Sequence, residues 1–168
     1  INAAHIRLLT DEDFKARSLP YLQSAGVVGA TLSADEQKIL DAAAPLIQER
    51  LVVLSEAPDL LSFLFKTADQ ITIEADALDG MPENVAEVLA AAIAALNEIG
   101  EAEFKTDPVQ SALNHALIEV MGLKPRFAFG PLRTGISGRR ISPPLFESME
   151  ILGKSETIAR LEAFARTV

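Results

Sequence analysis

Apolar residues at intervals of three and four predict helices along most of this chain. Thr10, followed by three acidic residues, has the pattern of a helix N-cap, and Ser33 with Glu36 has the spacing of a capping box. Pro45 is expected to kink or divide the helix that follows Ser33. Apolar positions at helical spacing after Ser33 are Ile39, Leu40, Ala43, Ile47, Leu51 and Leu54.

Prolines and glycines punctuate this helical pattern. Pro20, with Gly26 and Gly29, is expected to end the first helix in a loop. A long helix is predicted from Pro82 to about Gly100, and its apolar core is too short to span a bilayer, which needs about 20 apolar residues. Further helix starts are predicted at Asp107, Ser142 and Ser155, and a left-handed helix end at Gly122.

Residues 71–74 alternate apolar and polar side chains as a strand does. Four residues without a pairing partner cannot form a sheet, so we interpret them as a connector between helical subdomains. The predicted fold is therefore all-α, with two small packed helical bundles. The expected domains are residues 1–70 and residues 71–168.

Composition limits the classes of protein that fit. The 168 residues suffice for one moderate core or two small ones without cross-links. Cysteine is absent, which excludes disulfides and thiolate metal sites and favours a reducing cytoplasm. Because the sequence starts at Ile1 and not at Met, we expect it to be part of a longer protein. No membrane partner is expected.

Charge is distributed unevenly along the chain. The formal net charge is −9, but the 7 Lys and Arg against 20 Asp and Glu up to Leu123 give −13, and the 8 against 4 after it give +4. No acidic residue lies between Glu119 and Glu147. Such a basic segment on an acidic body predicts a surface for an anion, of which nucleic-acid phosphate is the commonest large one. The cations of this segment are Lys124, Arg126, Arg133, Arg139 and Arg140.

An ordinary solvated surface is the alternative explanation of these cations. The arginines lie among prolines, glycines and apolar residues instead of alternating with Glu, as they would on a solvated helix face. A guanidinium group in a rigid frame suits base edges and phosphates, and a single-stranded RNA loop offers both. We therefore predict RNA phosphate contacts for Lys124, Arg126, Arg139 and Arg140.

Other candidate sites have simpler explanations. His115 and Glu119 have the i, i+4 spacing of metal ligands, but only one other histidine is present, so a helix-surface pair is expected. Gly130, Gly135 and Gly138 resemble a phosphate loop without its Lys-Ser/Thr pair, and turns between short helices explain them better. No catalytic constellation is found.

The run FGPLRTGISGRRISPPLFESMEILGKSETIARLE, from Phe129 to Glu162, resembles the C-terminal anticodon-binding region of bacterial-type glutamyl-tRNA synthetases, a class I aminoacyl-tRNA synthetase family. The segment NAAHIR at residues 2–7 and LPYL at residues 19–22 look like the helix bundle that follows the catalytic half in that family. The resemblance covers essentially the whole chain and is loosest over residues 71–106. It implies that residues 1–70 contact the stem and the anticodon of a tRNA and that residues 71–168 bind the anticodon.

This resemblance implies roles for individual residues. Arg133 falls where the family places an arginine against the middle anticodon base, and Ser142, Pro143 and Leu145 fall where the family lines a pocket for the first base. Arg50 matches an arginine set against the third base, which separates Glu from Gln anticodons. Pro144 replaces a residue that is often glycine, which would stiffen the pocket.

The resemblance also implies the properties of the full-length protein. It would be an ATP- and Mg²⁺-dependent glutamate–tRNA ligase, monomeric and cytoplasmic, with its catalytic half outside these residues and no cofactor within them. The expected partner is tRNA-Glu, with acceptance of tRNA-Gln left open, and DNA is not expected. Two other classes remain open at this point, a stand-alone helical tRNA-binding module and a protein-interaction module that would use the apolar stripe from Val88 to Leu96.

Overall fold

A computed structural model describes residues 2–168, and the described chain is helical without a β-strand. The all-α prediction is confirmed. Short 3₁₀ segments, including Ala68–Gln70 and Ala75–Leu78, join the longer helices, and α6 continues into a π-helical segment, Asn114–Val120. The α-helices are α1 (Ala3–Arg7), α2 (Asp11–Ser24), α3 (Ala34–Ile47), α4 (Ala57–Leu61), α5 (Val85–Asn97), α6 (Thr106–Leu113), α7 (Pro125–Ser137), α8 (Leu145–Leu152) and α9 (Lys154–Ala165).

The chain divides into two compact units, Ile1–Phe65 and Lys66–Val168. In the first unit α2, α3 and α4 pack around a shared apolar core. The separate roles expected for the two parts of the chain, stem contact and anticodon binding, stay predictions. The most deeply buried apolar side chains of the first unit are Ile6, Phe14, Leu22, Leu40, Ile47, Leu51 and Leu61.

Both predicted N-caps of the first unit are present. The hydroxyl of Thr10 accepts a hydrogen bond from the Asp13 N–H at 3.2 Å. At the start of α3 the Glu36 N–H donates to Ser33 Oγ at 3.1 Å, and the Ser33 N–H donates to the Glu36 carboxylate at 2.8 Å. These bonds satisfy N–H groups that the first turn of a helix leaves without partners.

A lysine joins α2 to α3. Lys15 Nζ donates to Asp41 Oδ1 at 2.8 Å and to Glu12 Oε1 at 2.6 Å. The hydrogen bond from Lys15 lowers the pKa of Asp41, and the bond to Asp41 raises the pKa of Lys15. The pair therefore favours the charged form of both groups and fixes the two helices side by side.

The prolines of the first unit do not end their helices. Pro20 lies inside α2, which continues to Ser24, so the prediction that Pro20 starts a loop is wrong. Pro45 likewise lies inside α3 and does not divide it. A proline removes one hydrogen bond of the helix, and in each case a fully buried residue beyond it, Leu22 or Ile47, anchors the last turn by packing.

In the second unit, α5 packs against both α7 and α9, and α6 packs against α8. The predicted long helix is present as α5, but it begins at Val85 and not at Pro82. Gly122 has the predicted left-handed backbone, with φ +68°. The most deeply buried apolar side chains of the second unit include Val88, Leu89, Leu96, Val109, Leu113, Leu117, Leu132, Ile136, Met149 and Leu161.

Three predicted helix starts in this unit are wrong in detail. Lys105 precedes α6, so Asp107 lies within its first turn, and Gly153 precedes α9, so Ser155 is not its cap. The residue before α8 is Pro144, not Ser142. Ser142 lies three residues before the start of α8, and its hydroxyl donates to the Pro143 carbonyl at 2.8 Å.

The glycines of the basic segment lie within α7 or at its end, and they do not form a series of turns. Gly130 and Gly135 lie inside α7, which contradicts the predicted turns, and only Gly138 has a left-handed backbone, with φ +76°. A Cβ at Gly138 would collide with the carbonyl oxygen of Thr72. The Glu74 N–H donates to the Gly138 carbonyl at 2.8 Å, so residues 71–74 lie against the end of α7 within the second unit.

A buried arginine fixes the same end of α7. Arg160, on α9, is 1% exposed and donates to the Ile136 carbonyl at 2.7 Å and to the Lys66 carbonyl at 2.6 Å. Its Nε donates to Glu156 at 2.9 Å. Burial lowers the pKa of Arg160, and the Glu156 carboxylate opposes that shift. Arg160 therefore ties α7, α9 and the start of the second unit together.

Candidate RNA-binding site

A cavity of about 210 Å³ in the second unit brings three arginines together. Arg126 and Arg133 come from α7, and Arg140 comes from the loop after it. Arg126 and Arg133 are seven residues apart, which places them on one face of the helix two turns apart. We call this the arginine cavity. Its remaining lining residues are Ala77, Asp79, Gly80, Met81, Pro82, Gly130, Pro131 and Thr134.

Arg126 lines the arginine cavity and lies close to a glycine and an aromatic ring. Its guanidinium carbon is 4.7 Å from the centroid of the Phe127 ring, within the range of a cation–π contact. A Cβ placed at Gly80 would be 3.9 Å from Arg126 Nη2, so Gly80 is also close to this guanidinium. The guanidinium is thereby held near the cavity while Arg126 as a residue stays exposed.

Ser142 orients Arg133. The Nε of Arg133 donates to Ser142 Oγ at 3.2 Å, and the Ser142 hydroxyl donates onward to the Pro143 carbonyl at 2.8 Å. Ser142 is only 4% exposed, so this hydroxyl bridges the arginine to the backbone. Sequence spacing does not reveal this bond, because Ser142 lies beyond the end of α7.

The other residues predicted to line a base pocket lie below the surface. Pro143 is buried, and Leu145, the first residue of α8, is 4% exposed. Neither residue lines the arginine cavity. The Pro143 carbonyl accepts the hydrogen bond of the Ser142 hydroxyl. Contact of Pro143 and Leu145 with a base stays a prediction.

Three further predicted RNA contacts lie beyond the ends of α7. Lys124 directly precedes the helix, and Arg139 and Arg140 follow it. Lys124 is exposed at the residue before α7. Arg139 Nε lies 3.1 Å from the Glu74 carboxylate, so one predicted phosphate contact already has an anionic partner. Arg140 lines both the arginine cavity and a neighbouring groove of about 310 Å³ that is formed with Glu74, Asp76, Arg139 and Ile141.

Arg50 belongs to the first unit. It is exposed and lies in the turn after α3, where its N–H donates to the Ile47 carbonyl at 2.9 Å. Arg7 donates to the Glu49 carbonyl at 3.3 Å, and Gln48 donates to the Ile6 and Leu9 carbonyls at 2.8 and 2.9 Å. Arg50 is therefore carried by a braced turn and not by α3 itself.

Comparison with known proteins identifies the family. The model of the anticodon binding domain matches residues 13–165. The chain belongs to the anticodon binding domain family. The domain is 58% identical over 98% of its length to the glutamate–tRNA ligase of Arthrobacter sp. (strain FB24) and 56% identical to that of Clavibacter sepedonicus. It spans about a third of those relatives, 32% and 33% of their lengths.

Solved structures share the fold of the domain. A glutamate tRNA ligase from Elizabethkingia meningosepticum superposes with a TM-score of 0.76 at 21% identity, over 99% of the domain and 31% of that chain. A glutamate–tRNA synthetase from Elizabethkingia anophelis gives 0.75 at 19% identity. At these identities the likeness concerns the fold alone.

A metal site at His115 and Glu119 finds no further support among the described residues. His115 and Glu119 bond to each other at 2.8 Å with side chains about 70% exposed, as expected of a helix-surface pair. Within residues 2–168 no group of three or more His, Asp or Glu is placed to hold a metal ion. Across the same residues, every helix is too short or too polar to cross a membrane.

One wall of the arginine cavity has no signal in the sequence. Asp79, Gly80, Met81 and Pro82 precede the basic segment by more than forty residues, and their sequence has no feature that points to an anion site. The contact that brings them there is made by Thr134 in α7, whose hydroxyl donates to the Ala77 carbonyl at 3.2 Å. Tertiary packing alone reveals this wall.

Proposed function

We propose that this domain recognises the anticodon of tRNA-Glu as the C-terminal part of a glutamate–tRNA ligase. The observation that carries the proposal is the arginine cavity, where Arg126, Arg133 and Arg140 converge in a chain of net charge −9. Three guanidinium groups around one small cavity favour an anion with planar hydrogen-bonding groups, and an unpaired RNA loop has both phosphates and base edges. Membership in the anticodon binding domain family supports the same partner.

Ligation itself would take place outside this domain. The ligase relatives are about three times its length, which leaves room for a catalytic part that would bind ATP and Mg²⁺. The described residues have no metal-binding cluster, so we assign neither group to them. The task of this chain would be to hold the anticodon and so select which tRNA reaches the catalytic part. A monomeric cytoplasmic enzyme is part of the same proposal.

Within the proposed site the cations divide into two roles. Lys124, Arg126 and Arg140 are exposed at or near the cavity and would contact phosphates. Arg133 is half-buried and oriented by Ser142, which suits the reading of one base edge, the middle anticodon base. Arg50, in the first unit, would contact the third base. Arg139 would contact phosphate only by exchanging its bond with Glu74.

Burial argues against a docking surface on α5. Val88, Leu89 and Leu96, which form the apolar stripe considered for protein interaction, are fully buried in the second unit. A buried stripe is not available to a partner protein. RNA binding therefore has stronger support than protein docking, and salt separates the two, because phosphate contacts weaken steeply as salt concentration rises.

Binding of anticodon stem-loops tests the proposed function. The 168-residue protein is titrated with the tRNA-Glu stem-loop and with versions that carry one changed anticodon base. We expect tightest binding of the unchanged loop and a steep loss of affinity between about 50 and 200 mM salt. Equal affinity for all loops would show that the anticodon is not read. Binding that does not depend on salt would remove the arginine cavity as a phosphate site.

A further inference from the structure

Three carboxylates lie against the arginines of the proposed RNA site. Asp79 lines the arginine cavity with Arg126, Arg133 and Arg140. Glu74 and Asp76 line the neighbouring groove with Arg139 and Arg140. We call Glu74, Asp76 and Asp79 the acidic strip. They lie on and beside the 3₁₀ segment Ala75–Leu78, about fifty residues before the basic segment.

The segment that carries the acidic strip is fixed at three points to α7 and to the two residues that follow it. The Glu74 N–H donates to the Gly138 carbonyl at 2.8 Å, and the Glu74 carboxylate lies 3.1 Å from Arg139 Nε. At the other end, Thr134 donates to the Ala77 carbonyl at 3.2 Å. The absence of a side chain at Gly138 allows the backbone of Thr72 to approach. The strip and the arginines are thus parts of one folded surface.

Such an arrangement lowers the general attraction of the site for phosphate. A carboxylate beside a guanidinium partly cancels the field that would draw any RNA backbone, and Glu74 occupies a donor of Arg139 that a phosphate would otherwise take. An RNA that makes only phosphate contacts gains a bond to Arg139 only by breaking the pair with Glu74, so it gains little from this arginine. An RNA whose bases also fit gains additional contacts that offset this loss.

We propose that the acidic strip is a specificity determinant of this domain, with Glu74 competing with RNA phosphate for Arg139 and Asp79 reducing the pull of the arginine cavity on non-cognate RNA. This inference rests on the proposed function. It assigns to Glu74 and Asp79 a repulsive role that complements the attractive role of the arginines. Specificity often requires both kinds of contact, because selection depends on the difference between two affinities.

The test compares Glu74→Gln and Asp79→Asn with a charge-matched control. Glu162→Gln is the control, since it removes one negative charge from an exposed position of α9, away from both cavities. Each 168-residue variant is titrated with the tRNA-Glu anticodon stem-loop and with a stem-loop in which all three anticodon bases are changed. Thermal unfolding of each variant confirms that it is folded.

We expect Glu74→Gln to raise affinity for the changed loop by a factor of about 1.5 to 5, the range that corresponds to an exposed ion pair. Asp79→Asn removes a charge from the lining of the arginine cavity and should raise the same affinity by a smaller factor. Affinity for the tRNA-Glu loop should rise less, so the ratio of the two affinities falls. Glu162→Gln should leave this ratio unchanged. A ratio that Glu74→Gln and Asp79→Asn leave unaltered, or a rise that is equal for both loops, would overturn the inference.

A double variant separates competition at Arg139 from a general charge effect. If Glu74 acts by holding Arg139, Glu74→Gln should have no effect on the affinity ratio in the Arg139→Gln background. An undiminished effect in that background would contradict the assigned competition. Failure of the proposed function looks different, because the unmodified protein would then bind both loops equally or not at all.

Discussion

The Nε of Arg133 donates to the hydroxyl of Ser142 at 3.2 Å, and this bond joins α7 to the loop that precedes α8. An arginine side chain with several rotatable bonds is costly to order when RNA binds. The bond to Ser142 already orders the Arg133 side chain before RNA binds, because the Ser142 hydroxyl is itself fixed by its bond to the Pro143 carbonyl at 2.8 Å. The geometry thus links two residues for which sequence resemblance implied separate bases.

Ser142→Ala should weaken the preference for the middle anticodon base. Arg133→Ala should cost about 1–3 kcal/mol of binding, the usual worth of a bidentate base contact, and should relax preference at that base only. Ser142→Ala should have a smaller effect in the same direction, because the arginine remains but is less ordered. Binding of stem-loops changed at one anticodon position measures the preference of each variant. Ser155→Ala, at an exposed position, is the control. If Arg133→Ala weakens every loop equally, Arg133 contacts phosphate and not a base.

Lys124→Ala, Arg126→Ala and Arg140→Ala should each weaken binding of all stem-loops alike. Each loss of a phosphate contact should also reduce the salt slope by about one counterion. Arg139→Ala should have less effect, because its guanidinium already pairs with Glu74 at 3.1 Å. Affinities measured across a salt series give the slopes. Four unchanged slopes would exclude this surface as an RNA site.

Arg160→Met should destabilise the second unit strongly. The substitution removes buried hydrogen bonds to the Ile136 and Lys66 carbonyls, and an unsatisfied buried acceptor costs about 1–3 kcal/mol. Urea unfolding measures the loss. Arg166→Met, at an exposed position just after α9, is the matched control and should cost at most about 0.5 kcal/mol. Similar stabilities of the two variants would show that Arg160 does not hold α7 in place.

Gly138→Ala should be more destabilising than Gly26→Ala. Both glycines have a left-handed backbone, with φ of +76° and +72°, so alanine is strained at either position by about 1–2 kcal/mol. Only at Gly138 would the new Cβ also collide with the Thr72 carbonyl, whereas at Gly26 nothing lies within 4 Å. Thermal unfolding of the two variants isolates the collision. Equal losses of stability in the two variants would mean that residues 71–74 can move away from the new Cβ without destabilising the protein.

Ser33→Ala should cost about 1 kcal/mol of stability without altering RNA affinity. It removes the hydroxyl that accepts the Glu36 N–H at 3.1 Å. Arg50 lies beyond the far end of α3, in a turn braced by Gln48 and Arg7, so fraying at Ser33 should not reach it. Urea unfolding and stem-loop binding are measured on the same sample. Reduced affinity would show that the start of α3 does influence the Arg50 turn.

The sequence alone determined the positions of several helices, their caps and one helix end. The helical spacing of apolar residues, the caps at Thr10 and Ser33 and the left-handed Gly122 act within a few residues, and the structure has each of them. The lack of acidic residues between Glu119 and Glu147 was also visible in the sequence, and three arginines of this segment line one cavity. Errors arose where packing outweighs a local preference, as at Pro20, which remains helical because Leu22 beyond it is buried.

Tertiary structure alone decided which groups face the arginines. Ser142 has the sequence pattern of a helix cap, yet its hydroxyl bonds Arg133 and the Pro143 carbonyl because the loop folds back on α7. Glu74 and Asp79 lie 47 to 66 residues from the arginines along the chain and reach them through the Gly138 and Ala77 contacts. Contacts between distant segments depend on how complete helices pack, and no local pattern of residue types encodes that arrangement.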